Sequence, residues 1–159
     1  MNKVDDNDLQ FLRQSIAVAQ RARDKGNHPF GAVLVDENNV VLLEGENTVN
    51  TERDATGHAE SNLVRAACKQ FDKATLAKCT LYSSTEPCPM CAGAIFWAGI
   101  GRVVYALSEA ELYAFVPDSP DKLPLGCREV LARGGRVVEV IGPALEDEAR
   151  GVHVGFWRE

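Results

Sequence analysis

Two short segments of this 159-residue chain hold residue types that can do chemistry together. His58-Ala59-Glu60 opens one expected helix, and Pro87-Cys88-Pro89-Met90-Cys91 opens another thirty residues later. A Cys-x-x-Cys pair at a helix start puts two sulfurs within reach of one ion, and the helix dipole there favours their thiolate form. One imidazole and two thiolates make three protein ligands, whereas zinc takes four in a tetrahedron. Cys68, Cys79 and Cys127 are not at a paired spacing, so the fourth corner is most simply water. An open corner implies catalysis. Glu60 can lie beside the ion without binding it and pass a proton between water and substrate. A redox Cys-x-x-Cys and a structural zinc knuckle are the competing readings, and neither needs Glu60.

These residues must be positioned by the surrounding elements. Leu9, Leu12, Ile16 and Ala19 recur at helical spacing and predict a first helix up to Lys25, capped by Asn7 or Asp8 and ended by Gly26. Ala32–Val35 and Val40–Leu43 flank a polar turn and read as a hairpin. A helix is expected from about His58 to Phe71, a strand over Cys79–Ser83, and a helix over Pro89–Ala98 with Pro89 in its first turn. Arg102–Ala106 and Arg136–Ile141 read as further strands, with a helix over Leu125–Arg133 between them. A last helix is expected over about 143–159, and Ser108 to Pro124 is the one long connection. Alternating strands and helices predict an α/β fold, a three-layer α-β-α sandwich around a mixed five-stranded sheet. The whole chain, 1–159, reads as a single domain with its core at about 8–141.

Composition narrows the partners. Seventeen Lys and Arg against 23 Asp and Glu give a net charge of −6, which disfavours nucleic acid because the overall field repels phosphates. No apolar run approaches the ~20 residues that cross a bilayer. The polar, acidic start has no signal-peptide pattern, so a cytoplasmic location is expected. Five cysteines, an odd count, suit metal binding or burial better than a disulfide framework.

His-x-Glu followed by Pro-Cys-x-x-Cys is the signature of zinc nucleobase deaminases. The chain resembles the cytidine-deaminase-like superfamily, on the branch of guanine, cytosine and tRNA adenosine deaminases. Pro29-Phe30-Gly31-Ala32-Val33, Gly45-Glu46-Asn47, Thr56 to Glu60 and Ser84 to Cys91 look most like bacterial guanine deaminases, over about residues 8 to 110. The resemblance implies one zinc ion (Zn2+) per subunit held by His58, Cys88 and Cys91, with Glu60 catalytic, and a homodimer. It further implies that Asn47 hydrogen-bonds the base and Phe30 presses on its ring. The Ala59 N–H and the Glu86 carbonyl would grip the polar edge of the base.

The implied reaction is hydrolytic deamination of a free nucleobase, guanine favoured, with cytosine or isocytosine, or the wobble adenosine of tRNA, as alternatives. Guanine calls for an acceptor, which Asp118 or Asp121 could supply. The tail looks more like cytosine or tRNA adenosine deaminases, and Trp157 with Glu159 could place an aromatic lid and an acid over a small base. Trp97 reads as core or interface, and His28 as a surface or satisfied histidine. His153 reads as structural or exposed. Cys68, Cys79 and Cys127 read as buried small hydrophobes. A non-catalytic zinc-stabilised interaction domain is the reading from outside enzymology, and Glu60 speaks against it.

Overall fold

A computed structural model of the chain describes residues 3–157. In chain order the elements are α1 (Asp6–Asp24), β1 (Gly31–Val35), β2 (Val41–Glu46), α2 (Val49–Glu52), α3 (Ala59–Gln70), α4 (Lys73–Leu76) and β3 (Thr80–Thr85). They continue with α5 (Pro89–Ala98), β4 (Arg102–Leu107), α6 (Glu109–Phe115), α7 (Cys127–Ala132), β5 (Glu139–Ile141) and α8 (Glu146–Gly151). The strands form one sheet in the order β2-β1-β3-β4-β5. The β1 strand pairs antiparallel with both β2 and β3, while β4 runs parallel to β3 and β5. The expected mixed sheet between two helical layers is therefore present.

Strand alternation builds the layers. Ala32 and Leu34 of β1 face a cluster with Leu63, Ala67, Ile95 and Leu131, from α3, α5 and α7. Val33 and Val35 point the other way, to Phe11, Leu12 and Val18 of α1 and Ala149 of α8. Every residue of β1 is buried, which is why it reads as an unbroken apolar run.

Several boundaries differ from the sequence expectation. Asp5, not Asn7 or Asp8, caps α1, and Asp8 closes the capping box by accepting the Asp5 N–H. The last helix is confined to Glu146–Gly151, because Gly142 and Leu145 hold positive φ and break any earlier start. Residues 158 and 159, including the proposed acid Glu159, lie outside the described residues. The long connection contains α6, whose cap Ser108 accepts the Glu111 N–H. Cys68 is exposed on the outer face of α3, whereas Cys79 and Cys127 are buried. Trp97 is 76% exposed on this chain and is not core.

Asp8 ties three elements together. Its carboxylate accepts both Arg102 Nη atoms at 2.8 Å and the Tyr82 hydroxyl at 2.7 Å, with its side chain 2% exposed. Burial disfavours its charge, but the Arg102, Tyr82 and Asp5 donors outweigh that and hold its pKa below the usual range. The contribution is complete above the ordinary carboxylate range and is lost as pH falls through the depressed value. Arg102→Ala strands this buried charge and is expected to cost about 3–5 kcal/mol in urea unfolding at neutral pH. A loss below ~1 kcal/mol would show that the pair is no more than a surface ion pair.

Candidate active site

Two helix starts converge at the site. His58 is the N-cap residue of α3 and Cys88 that of α5, with Pro89 at the first helical position of α5 and Cys91 in its first turn. The α3 start is seated by Gly45 of β2, where a Cβ would collide with the Ala59 carbonyl and lie 2.8 Å from Leu63 Cβ. Only glycine allows that approach.

The His58 Nδ1 atom lies 3.4 Å from Cys88 Sγ and 3.6 Å from Cys91 Sγ, and all three donors lie within 4.8 Å of one another. Zinc bonds of about 2.3 Å to sulfur and 2.1 Å to nitrogen, at the tetrahedral angle, set the two donors about 3.6 Å apart. The donor set fits zinc in both chemistry and spacing. The Cys88 thiol is pulled down to about 4 by its hydrogen bond with Cys91 and, against the penalty of burial, by His58. Glu60, the second residue of α3, is buried, and burial followed by the negative charge at Cys88 pushes its pKa up to about 7. Its carboxyl is therefore able both to hold and to release a proton near neutrality.

These groups open into a cavity of about 640 Å³, of which His58, Glu60 and Cys88 form one wall. Phe30, His28 and Trp157 form an aromatic side, with ring centroids 5.4 Å apart for His28–Trp157 and 6.1 Å for Phe30–Trp157. The tail reaches this position because Arg23 donates to the Val152 and Val154 carbonyls at 2.8 and 2.7 Å. The Trp157 indole N–H donates to His153 Nδ1 at 3.0 Å, and the two rings are nearly parallel. His153 is buried, and burial followed by Arg23 lowers its pKa to about 4. His28, expected as a surface or satisfied histidine, lines the cavity.

The other candidate residues are distributed unevenly. Asn47 is buried and is not among the residues that line the cavity; its Oδ1 accepts the Val49 N–H, and Nδ2 has no hydrogen-bond partner among the described residues. Ala59 is the first residue of α3, where N–H groups lack intrahelical acceptors. Glu86 lines the cavity, but its carboxylate accepts the Glu109 and Cys127 N–H groups, both at 3.0 Å, and so anchors α6 and α7. Asp118 does not line the cavity; its side chain is fully exposed and pairs with Lys122, because the chain turns it outward beyond α6. Asp121 lines the cavity in its place. Thr85, Glu109 and Tyr113 also line it and were not singled out from sequence. Ser108-x-x-Glu111, a capping-box spacing, is the signal that marks α6 and hence Glu109.

The family described as the cytidine and deoxycytidylate deaminase zinc-binding region matches residues 5–107. A probable cytosine deaminase of Schizosaccharomyces pombe is 45% identical over 157 residues, covering 98% of this chain and 95% of that one. A tRNA-specific adenosine deaminase of Bacillus subtilis is 34% identical over 158 residues, covering 96% and 89%. The solved guanine deaminase of Bacillus subtilis superposes with a TM-score of 0.59 at 34% identity, covering 74% of this chain and 81% of that one. Among the described residues, no helix is long and apolar enough to cross a membrane. With the matched region containing both helix starts and the zinc-spaced donors, the chain belongs to the cytidine and deoxycytidylate deaminase family of zinc-dependent enzymes.

Proposed function

We propose that this zinc deaminase acts on a free nucleobase, exchanging an exocyclic amine for oxygen with water and releasing ammonia. One observation carries the reading: Phe30, His28 and Trp157, their rings tilted to one another, share with His58, Glu60 and Cys88 a cavity lined by four carboxyl residues and one lysine. Lys122 is already engaged by the Tyr113 and Val116 carbonyls and by Asp118. An acidic lining with its ammonium occupied offers nothing to a phosphate chain and suits a neutral ring with N–H donors.

Zinc, held by His58, Cys88 and Cys91, supplies Lewis acidity and lowers the pKa of water. Glu60 carries one proton of the entering water to the ring nitrogen, where it stays, and then carries the second, from the new C–OH group, to the leaving amine, so that the C–N bond breaks, ammonia leaves and a ring C=O and N–H remain. Phe30, His28 and Trp157, tilted to one another, enclose the ring of the base, and Asn47 Nδ2 is a further donor to it. Ring, water and carboxyl thus meet in one orientation, which lowers the entropic part of the barrier.

The substrate motifs lean to guanine, while a relative that spans nearly the whole chain at 45% identity is a probable cytosine deaminase. Both bases belong in the decisive assay. Ammonia release is measured for zinc-loaded protein with guanine, cytosine, isocytosine and adenine, beside inosine formation in tRNA. Turnover of guanine or cytosine, with no inosine formed, is the expected result. Inosine in tRNA with no free base consumed would replace this reading by the RNA-editing one, which the second relative favours.

A further inference from the structure

Buried polar atoms almost always find partners, and those that do not mark places where something else supplies one. Among the described residues, two such atoms lie on residues that line the cavity, Thr85 Oγ1 and Glu109 Oε2; Asn47, whose Nδ2 is also unpartnered, is not one of the lining residues. Thr85 is 4% exposed and Glu109 9% exposed. Neither belongs to the zinc ligands, and neither is used by the proton transfer through Glu60.

Their placement is fixed by the sheet. Thr85 ends β3 and Glu109 follows Ser108 at the end of β4, two parallel neighbours in which Thr85 pairs with Leu107. The Glu86 N–H donates to the Leu107 carbonyl at 2.7 Å, and the Glu109 N–H donates to Glu86 Oε1 at 3.0 Å. Both orphaned oxygens therefore belong to residues at the carboxyl ends of neighbouring parallel strands and lining one cavity, where open α/β sheets form their ligand crevices. One is a hydroxyl that can donate and the other a carboxyl oxygen that accepts. Burial, then the Glu86 charge, brings Glu109 to about 7, and its unpartnered oxygen accepts a hydrogen bond as carboxylate or as the carbonyl of the acid.

Resting on the free-base reading above, we propose that Thr85 and Glu109 form a recognition wall for the lactam edge, H–N–C=O, of an amino-lactam base. The Thr85 hydroxyl donates to the ring carbonyl and Glu109 Oε2 accepts the adjacent ring N–H. Cytosine, isocytosine and guanine all carry this edge and an amine, the edge adjoining the amine-bearing carbon in guanine and isocytosine and lying one ring nitrogen away from it in cytosine. Adenine has no carbonyl, and 1-methylcytosine has lost the N–H. The wall thus selects among bases by what would be left unpaired, a strong form of discrimination.

The test uses zinc-loaded, full-length wild type, Glu109→Met, Glu109→Gln and Thr85→Val, read by ligand-induced Tm shift and by KM against kcat. In wild type, cytosine or guanine raises Tm, and adenine and 1-methylcytosine do not. Without ligand, Glu109→Met melts higher than wild type, because a buried carboxyl with one unpartnered oxygen has been removed. With ligand it loses the Tm shift, and its KM rises at least about tenfold with a smaller change in kcat. Glu109→Gln, which keeps an acceptor, retains part of the shift, and Thr85→Val loses much of it. A purely structural Glu109 would instead lower the ligand-free Tm and leave KM alone, which overturns the proposal. So would equal shifts with cytosine and 1-methylcytosine, or no shift with any base. Shifts that follow the wall without ammonia release from any base would leave the wall standing and remove the deaminase reading alone.

Discussion

Glu60→Gln lowers kcat for the accepted base by about a thousandfold, within the range general acid–base catalysis supplies. The substitution is nearly isosteric and lies in the first turn of α3, so the fold and the three donors stay in place. What disappears is a group that both takes and returns a proton. Glu60 is buried in the absence of substrate, so neutral glutamine also relieves a desolvation cost and the variant should melt no lower than wild type. The measurement pairs ammonia release with elemental zinc content and a thermal melt. Retention of more than about a tenth of wild-type kcat, at full zinc content, would remove Glu60 from the proton path and with it the mechanism given above.

Withdrawing zinc is the second large effect. The ligands come from the starts of α3 and α5, thirty residues apart, so the ion cross-links two helices that otherwise meet through apolar packing. Dialysis against a chelator abolishes turnover, and added zinc restores it. Stability falls as well: free zinc about a thousandfold above its Kd contributes about 4 kcal/mol. For a chain of this size that is about 10 °C in Tm. Cys91→Ala reproduces the loss without a chelator, and zinc content falls to a small fraction of one ion per chain. Wild-type turnover in metal-free protein, or full zinc retention by Cys91→Ala, would show that these three donors are not the metal site.

Elements with strong periodicity were legible. The apolar spacing of α1 and α3 and the β-branched runs of β1 and β4 put those elements where the structure has them. The single-turn helices α2 and α4 were not legible, because four residues are too few to show a 3.6-residue period. Nor was the shortening of the last helix, since its break depends on positive φ at Leu145, a conformation its side chain gives no reason to expect. In the site, donor spacing at His58, Cys88 and Cys91 is a local property and can be read from a string. The cavity wall is not local. Asp118 and Asp121 are three residues apart and equally acidic, yet only Asp121 lines the cavity. Glu109 shows the same difficulty: an N-terminal helix glutamate is ordinarily solvated, and only packing against Glu86 and the sheet end buries it.

The Glu86 carboxylate carries a mechanical consequence. One planar group of three atoms receives the first backbone N–H of both α6 and α7, residues 23 and 41 positions further along the chain. The two helix starts are thereby coupled like spokes on one hub, and the hub is covalently adjacent to the Pro87-Cys88 turn. Any tilt of α6 that widens the opening must be shared by α7 or break a charge-assisted bond.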